Sequence, residues 1–343
     1  MGRLWLLAVA ACYSPHEQPG APCDPAQPAC PGSQVCVRTG GAGGVGYTCQ
    51  YPGGGVGSDA SVVYKDAATD AAIDAFHPDG PPGDLDGDGV PDSMDNCPTV
   101  YNPDQGNEDG DKFGDVCDPC PPVADDNPLD SDGDGVADAC DPRPTMPGDK
   151  IVLFEGFHHG VPSNWIVVKA SGSSGSQPWT AVGDSVKLAA SNDMRGSLTI
   201  ALPVTGHETV STAVTVSAVN TMYDSSAGVV DVYTHYAGGT APTYGMYCHV
   251  TLWRPRTGPP QPVLVITQLL SQNPFTAPFE LNLGTSYVVR MRRDGTQYGC
   301  HGETGAKTAE TSDTSTIAAN PSEIGLRAND TDATFAWVMV VDN

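Results

Sequence analysis

From Ile151 to the C-terminus, apolar and polar positions alternate in short runs: IVLFEGF, WIVVKA, SVKLAA, RGSLTIALPV, TVSTAVTVSAV, AGVVDVYTHY, YGMYCHVTLWR, PVLVITQLL, FELNLG, SYVVRMRR, TQYGCHG, SEIGLRA and ATFAWVMVVD. Gly, Pro, Asn and Asp punctuate the gaps. A period of two sends successive side chains to opposite faces of a strand, so each run has one face to bury. About a dozen such strands in roughly 190 residues predict an antiparallel β-sandwich of the jelly-roll kind over residues 150–343. The chain is expected to be mostly β.

Residues 84–141 follow another rule. Acidic loops begin at Asp84, Asn107 and Asp130, a step of 23 residues, and the cysteines keep the same step from Cys97 to Cys120 and from Cys117 to Cys140. A fixed period marks a repeat array in which each unit is completed by its neighbours. The flanks DNCPTVYNPDQ and CPPVADDNP are rich in Pro and Asn and supply no helical apolar stripe, so these are not the helix-flanked loops of an EF-hand. Each loop nevertheless fits a calcium template with oxygens at positions 1, 3, 5, 7, 9 and 12 and a turn glycine at 6. Loop one supplies Asp84, Asp86, Asp88, the carbonyl of Val90, Asp92 and Asp95 around Gly89. Loop three supplies Asp130, Asp132, Asp134, the carbonyl of Val136, Asp138 and Asp141 around Gly135. Loop two offers Asp109, Asp111, the carbonyl of Phe113, Asp115 and Asp118, but starts on Asn107 and has Lys112 where the glycine belongs. An ammonium beside the ion and a Cβ at the turn predict the weakest of the three sites.

Charge strengthens the cation reading. Of a formal net charge of -25, residues 84–141 carry -17, from 18 acidic side chains against the single Lys112. Residues 150–343, with 15 acidic and 11 basic side chains, carry only -4. Carboxylates this dense repel one another unless cations neutralise them, and a nucleic-acid partner would need a basic surface that is not present.

The eleven cysteines fall into groups: Cys12 alone; Cys23, Cys30, Cys36 and Cys49; Cys97, Cys117, Cys120 and Cys140; and Cys248 with Cys300. Even groups in a Gly- and Pro-rich chain point to disulfides and an oxidising compartment. Zinc competes at Cys117-Asp118-Pro119-Cys120, although aspartate-filled loops suit a hard cation better. Cys248-His249 and Cys300-His301 would make a zinc site only if each pair shared a face. Strand alternation separates them, which favours a Cys248–Cys300 disulfide. Residues 12–52 have too few apolar side chains for a core and are expected to be held by bridges. Residues 53–83 read as a Gly/Ala/Asp/Pro spacer in which His77 is solvated.

Three resemblances follow from these residues. DLDGDGVPDSMDNCPTVYNPDQ resembles the longer unit of the thrombospondin type 3 repeat and DSDGDGVADACD its shorter one, over residues 84–142. This resemblance implies an irregular, calcium-stabilised stalk with serial disulfides, Cys97 to Cys117 and Cys120 to Cys140, and Asn102 as a further ligand-side residue. The opening LFEGFHHGVPSNW and the closing ATFAWVMVVDN resemble concanavalin A-like and laminin G-like lectin sandwiches, in which first and last strands pair. Val9-Ala10-Ala11-Cys12 resembles the bacterial lipobox, which implies removal of residues 1–11, acylation of Cys12 and, with Tyr13 and Ser14 following, outer-membrane sorting. An ordinary secretory signal is the alternative there. The apolar run Leu4–Ala11 is too short to span a bilayer, which takes about 20 residues.

No enzyme is expected. Glycoside hydrolases on such a sandwich carry alternate carboxylates on one strand, and the chain has no E-x-D-x-x-E, G-x-S-x-G or H-E-x-x-H. Glu155 is isolated, and Glu303 and Glu310 sit at the two ends of a TGAKTAE stretch that reads as loop, Glu303 just before it and Glu310 its last residue. His158 and His159 read as surface loop, Trp165 and Trp337 as core, and Trp179 as an exposed platform on which a sugar could stack. The expected function is a calcium-binding cell-surface lipoprotein that presents a lectin-like sandwich for adhesion, with a glycan or an extracellular protein as ligand. A structural envelope protein without a specific ligand is the alternative, and a divergent glycan hydrolase the least supported.

Overall fold

The computed structural model describes residues 35–41, 44–50, 83–169, 179–189, 195–235, 242–255, 257–268, 275–315 and 321–342. Cys12, Cys23, Cys30, His77 and nearly all of the 53–83 spacer lie outside them. The chain divides into two compact units, Met1–Pro78 and Asp79–Asn343. In the first, β1 (Val35–Gly41) and β2 (Gly44–Gln50) pair antiparallel with Cys36 opposite Cys49.

In the second unit the repeats lead into β3 (Lys150–Glu155), β4 (Ile166–Lys169), β5 (Thr180–Ala181), β6 (Val186–Leu188), β7 (Arg195–Ile200), β8 (Glu208–Val219), β9 (Ser225–His235) and β10 (Pro242–Trp253). The chain continues through β11 (Gln261–Gln268), β12 (Phe275–Pro278), β13 (Ser286–Asp294), β14 (Gln297–Thr304), β15 (Lys307–Thr314), β16 (Glu323–Asn329) and β17 (Thr331–Asp342). They form two antiparallel sheets. One has seven strands in the order β12-β11-β10-β9-β16-β7-β4; the other has eight, seven of them in the order β15-β14-β13-β8-β17-β6-β5 and the eighth, β3, off that path. β3 pairs with β17, Phe154 opposite Met339, so the first and last strands of the sandwich lie side by side.

Alternation explains the layering. Leu198, Val229, Met246, Leu264 and Leu326 of the seven-stranded sheet meet Val214, Val289, Met291, Phe335 and Val340 of the eight-stranded one in a single core. Cys248 and Cys300 face each other in that core and are bonded, with Cα atoms 5.4 Å apart. His249, one residue on, faces the other way.

Four local expectations need correction. FELNLG is not a strand: Pro278 ends β12, Phe279 turns into the core 5.7 Å from the Tyr287 ring, and the Tyr287 hydroxyl accepts the Asn282 N–H. Its apolar alternation reflects loop packing. TGAKTAE is not a loop but the tip of the β14–β15 hairpin, closing at Thr304 opposite Lys307, because Gly305 takes a positive φ of 55° there. Trp179 is buried, with its ring 5.3 Å from Phe335. His158 is half-buried against the repeats, its Nε2 2.9 Å from Asp115 Oδ2, while the exposed His159 reaches Asp104.

The array lies against the outer face of the eight-stranded sheet. Val136, Ala137, Cys120 and Cys140 pack on Ala213, Trp337, Met339 and Val341 in a second, smaller core. Trp337 is therefore core, as its apolar neighbours imply, but the core it belongs to is the joint between repeats and sandwich. Its ring also packs on Phe154 of β3 at 6.3 Å.

Candidate functional site

The 23-residue step of the sequence reappears in the hydrogen bonds. Asp92, Asp115 and Asp138 each close a loop: their backbone N–H groups donate to Gly83, Gly106 and Leu129, and one carboxylate oxygen of each accepts from Leu85, Glu108 or Ser131. Asp88, Asp111 and Asp134 link one unit to the next. One oxygen of each accepts the N–H two residues on, and the other accepts from residues 14 or 15 further along: Asn102, Asp125, or Gly148 with Asp149. Serial bridges join Cys97 to Cys117 and Cys120 to Cys140.

Among the described residues, carboxylates converge in four groups, the last two sharing Asp134, in each of which the oxygens lie within 4.8 Å of one another: Asp84, Asp86 and Asp88; Asp109, Asp111 and Asp118; Asp130, Asp132 and Asp134; and Asp134, Asp141 and Asp149. Asp95 turns one oxygen to the Cys97 N–H and Gln105, while Asp118 and Asp141 each turn one to the N–H two residues on. The second oxygens of Asp86, Asp95, Asp109 and Asp141 and both of Asp132 are buried without a hydrogen-bond partner. Buried polar atoms almost always have partners, so unpartnered oxygens recurring at loop positions 3 and 12 are what a coordinating ion would satisfy. The donors are all oxygen, which fits calcium. Ion-free, the carboxylates resist charging. Burial pushes Asp118 up to about 6, and burial followed by the neighbouring Asp149 pushes Asp141 up to about 6. Asp86, Asp109 and Asp132 are raised by the same desolvation, whereas Asp130 is lowered by the N–H groups of Gly133 and Gly135.

Loop two differs in one concerted way. In loops one and three the first aspartate accepts two N–H groups, Gly87 and Gly89 on Asp84, Gly133 and Gly135 on Asp130. Both Gly89 and Gly135 have φ near +97°. Asn107 has a single carbonyl oxygen, which takes the Gly110 N–H, and its amide donates to Asp111 O. Lys112 stays out of the left-handed region, sends its N–H to Asp126 Oδ1, and places its ammonium on Asp126 O and 4.6 Å over the Phe113 ring. The expected ammonium beside the ion and strained turn are thus both relieved by a changed backbone path. Asn107 stands outside the carboxylate group, which leaves loop two with one fewer charged oxygen donor.

Sequence reasoning missed Asp149, fully buried and paired with Arg143 at 3.0 Å, and Asp125. For Asp125 the signal was present, since it follows the position-five Asp111 by the 14 residues that separate Asn102 from Asp88; Asp149 follows Asp134 by 15, out of step with both. Asn102 itself is buried, and its N–H sits on Asp88.

A second polar cluster, buried, stands on the side of the seven-stranded sheet away from the core. His249 and Arg327 stand on either side of Gly228 in register, and a Cβ there would come within 2.9 Å of the imidazole. His249 Nδ1 and Asn329 Nδ2 both bond Ser226 Oγ at 3.1 Å, and Arg327 bonds Ser197. Burial, then Arg327, holds His249 well below the usual histidine range, so its imidazole is neutral. His249 Nε2, Thr251 Oγ1 and Asn329 Oδ1 remain buried without partners.

Comparison with known proteins agrees with the repeat. The family model of the thrombospondin type 3 repeat matches residues 82–105, which include loop one and Asn102. No curated protein matches the chain. Lectin II from Ulex europaeus is similar in fold, with 11% identity over 57% of this chain and 100% of its own and a TM-score of 0.39. The calcium-bound exoplasmic domain of VIP36 has 9% identity over 54% and 88% with the same TM-score. Winged bean acidic lectin with methyl-alpha-D-galactose has 9% identity over 57% and 99%, again with a TM-score of 0.39.

Proposed function

We propose that this chain is a calcium-binding carbohydrate-recognition protein of the cell envelope. Calcium would be held by Asp84, Asp86, Asp88 and Asp95 in loop one, Asp109, Asp111 and Asp118 in loop two, and Asp130, Asp132, Asp134, Asp141 and Asp149 in and beside loop three. The observation that carries this is the set of buried, unpartnered carboxylate oxygens recurring at the same two loop positions. When bound, the ion supplies positive charge that lets neighbouring carboxylates ionise together, and binding free energy then becomes folding free energy of the array. Calcium titration by calorimetry tests this: saturable binding of more than one ion per chain is expected, and no heat beyond dilution would refute it.

The sandwich is read as the ligand-binding part. Its support is the buried polar surface around His249, Thr251 and Asn329, whose unpartnered atoms match the hydroxyl groups of a sugar better than an apolar ligand. Binding to a glycan array, reduced by Asn329→Ala and Thr251→Val, is the expected outcome. An extracellular protein ligand is the other outcome of that screen. Attachment through an acylated Cys12 completes the reading, and mass spectrometry of the N-terminal peptide from cells reads the acyl chains directly.

A further inference from the structure

On the opposite side of the sandwich, the outer face of the eight-stranded sheet and the end of loop three enclose a groove of about 600 Å³. One wall is Asp141 and Pro142 from the repeats, and the floor belongs to β13 and β14. Arg290 and Arg292 alternate along β13 and so share this face, Arg290 opposite His301 and Arg292 opposite Gly299. Gly299 leaves the floor open, because a Cβ added there would meet no atom within 4 Å. On the other flank Ser211 and Thr209 of β8 lie opposite the same two arginines. Both are almost completely buried, and both hydroxyl oxygens lack a hydrogen-bond partner.

The charges are arranged selectively. Glu310 and Glu303 are both engaged by His301, whose Nδ1 lies 3.1 Å from Glu310 Oε1 and whose Nε2 lies 3.3 Å from Glu303 Oε2. Among the described residues Arg292 reaches only the neutral Pro142 carbonyl, at 3.5 Å. The Arg290 guanidinium has no ion pair or hydrogen bond among the described residues. In a chain of net charge -25, two same-face arginines stand without a carboxylate ion pair among the described residues. A guanidinium fork matches the planar, two-oxygen geometry of a carboxylate. Around it stand the Thr209 and Ser312 hydroxyls and the acceptor oxygens of Glu310 and Asp141, which suit the hydroxyl groups of a sugar and tolerate a single negative charge on the arginines better than a densely charged anion.

We propose that this groove binds the carboxylate of a uronic-acid residue in an extracellular acidic polysaccharide. The site is separate from the surface around His249, on the other sheet, and each stands or falls by its own variants. The test is calorimetric titration of the full chain, in calcium, with a galacturonate oligomer, a neutral galactose oligomer of the same length and sulfated dextran. The galacturonate is expected to bind, the neutral oligomer at least about tenfold more weakly, and sulfated dextran not to displace the uronate. Arg290→Gln and Arg292→Gln are each expected to weaken uronate binding about tenfold or more. Gly299→Val, which fills the open floor while keeping both charges, is expected to do the same, and His249→Ala to leave it unchanged. Wild-type affinity in Gly299→Val and in both arginine variants, equal binding of the neutral oligomer, displacement by sulfated dextran, or no uronate binding at all would each overturn the proposal.

Discussion

At the scale of single residues, the difference between a strong and a weak loop comes down to two positions acting together. Asp84 and Asp130 accept a second N–H from a glycine that only a positive φ can deliver, whereas Asn107 has no second carboxylate oxygen and Lys112 sends its N–H elsewhere. Asn107→Asp with Lys112→Gly should raise loop-two calcium affinity about tenfold, since ligand charge tunes such sites. The single changes should each give less than half of that in free energy, and a double-mutant cycle in calcium titrations measures the coupling. pH acts on the same groups. Burial pushes Glu108 up to about 7 and Asp118 and Asp141 up to about 6 in the ion-free chain. A carboxyl whose folded pKa is raised binds more protons folded than unfolded, so the contribution of these groups to the ion-free fold is fully present only below about pH 4 and is lost as pH rises from there through about 6 to 7. Calcium reverses the sign, because it requires the carboxylates bare: its affinity should fall as pH drops through this window, with proton release on binding. Calorimetry at about pH 6 in buffers of different ionisation enthalpy reads that release, and a buffer-independent heat would contradict it.

At the scale of elements, what was legible in the sequence was whatever had a period. The 23-residue step located every acidic loop, and the alternation of β8, β13 and β17 located the central strands, because both patterns are set by local geometry. Strands whose pattern is polar escaped: β15, KTAETSDT, is an exposed edge with nothing apolar to announce it. The joint between array and sheet was equally hidden, since Val136 read only as a carbonyl ligand of loop three, with no sign that its side chain and Ala137 pack on Trp337 and Met339. Asp149 was missed for a related reason, lying between the last repeat and the first strand, where neither period reaches. The joint gives its own prediction. Trp337→Ala should cost about 3 kcal/mol or more by leaving a cavity between array and sandwich. Its thermal unfolding should also split into two transitions, one of them calcium-dependent, where the parent chain is expected to melt in one.

At the scale of the whole molecule, the two parts are stabilised by different physics. The sandwich has an apolar core and an inter-sheet disulfide, while the array has two bridges, a thin strip of apolar contact and many more carboxylates than its own hydrogen bonds can satisfy. Removing the Cys97–Cys117 bridge, which closes a separation of 20 residues, should cost about 3 kcal/mol in the chain-entropy model, most visibly without calcium. The central claim is that calcium, and not a protein core, holds residues 84–149 in order. Hydrogen exchange of the whole chain, in calcium and in chelator, tests it most directly. Chelation is predicted to collapse protection of the backbone amides of Gly89, Val90, Gly114, Gly135 and Ala137 while β8, β13 and β16 keep theirs. Unchanged protection across the array in chelator would contradict it.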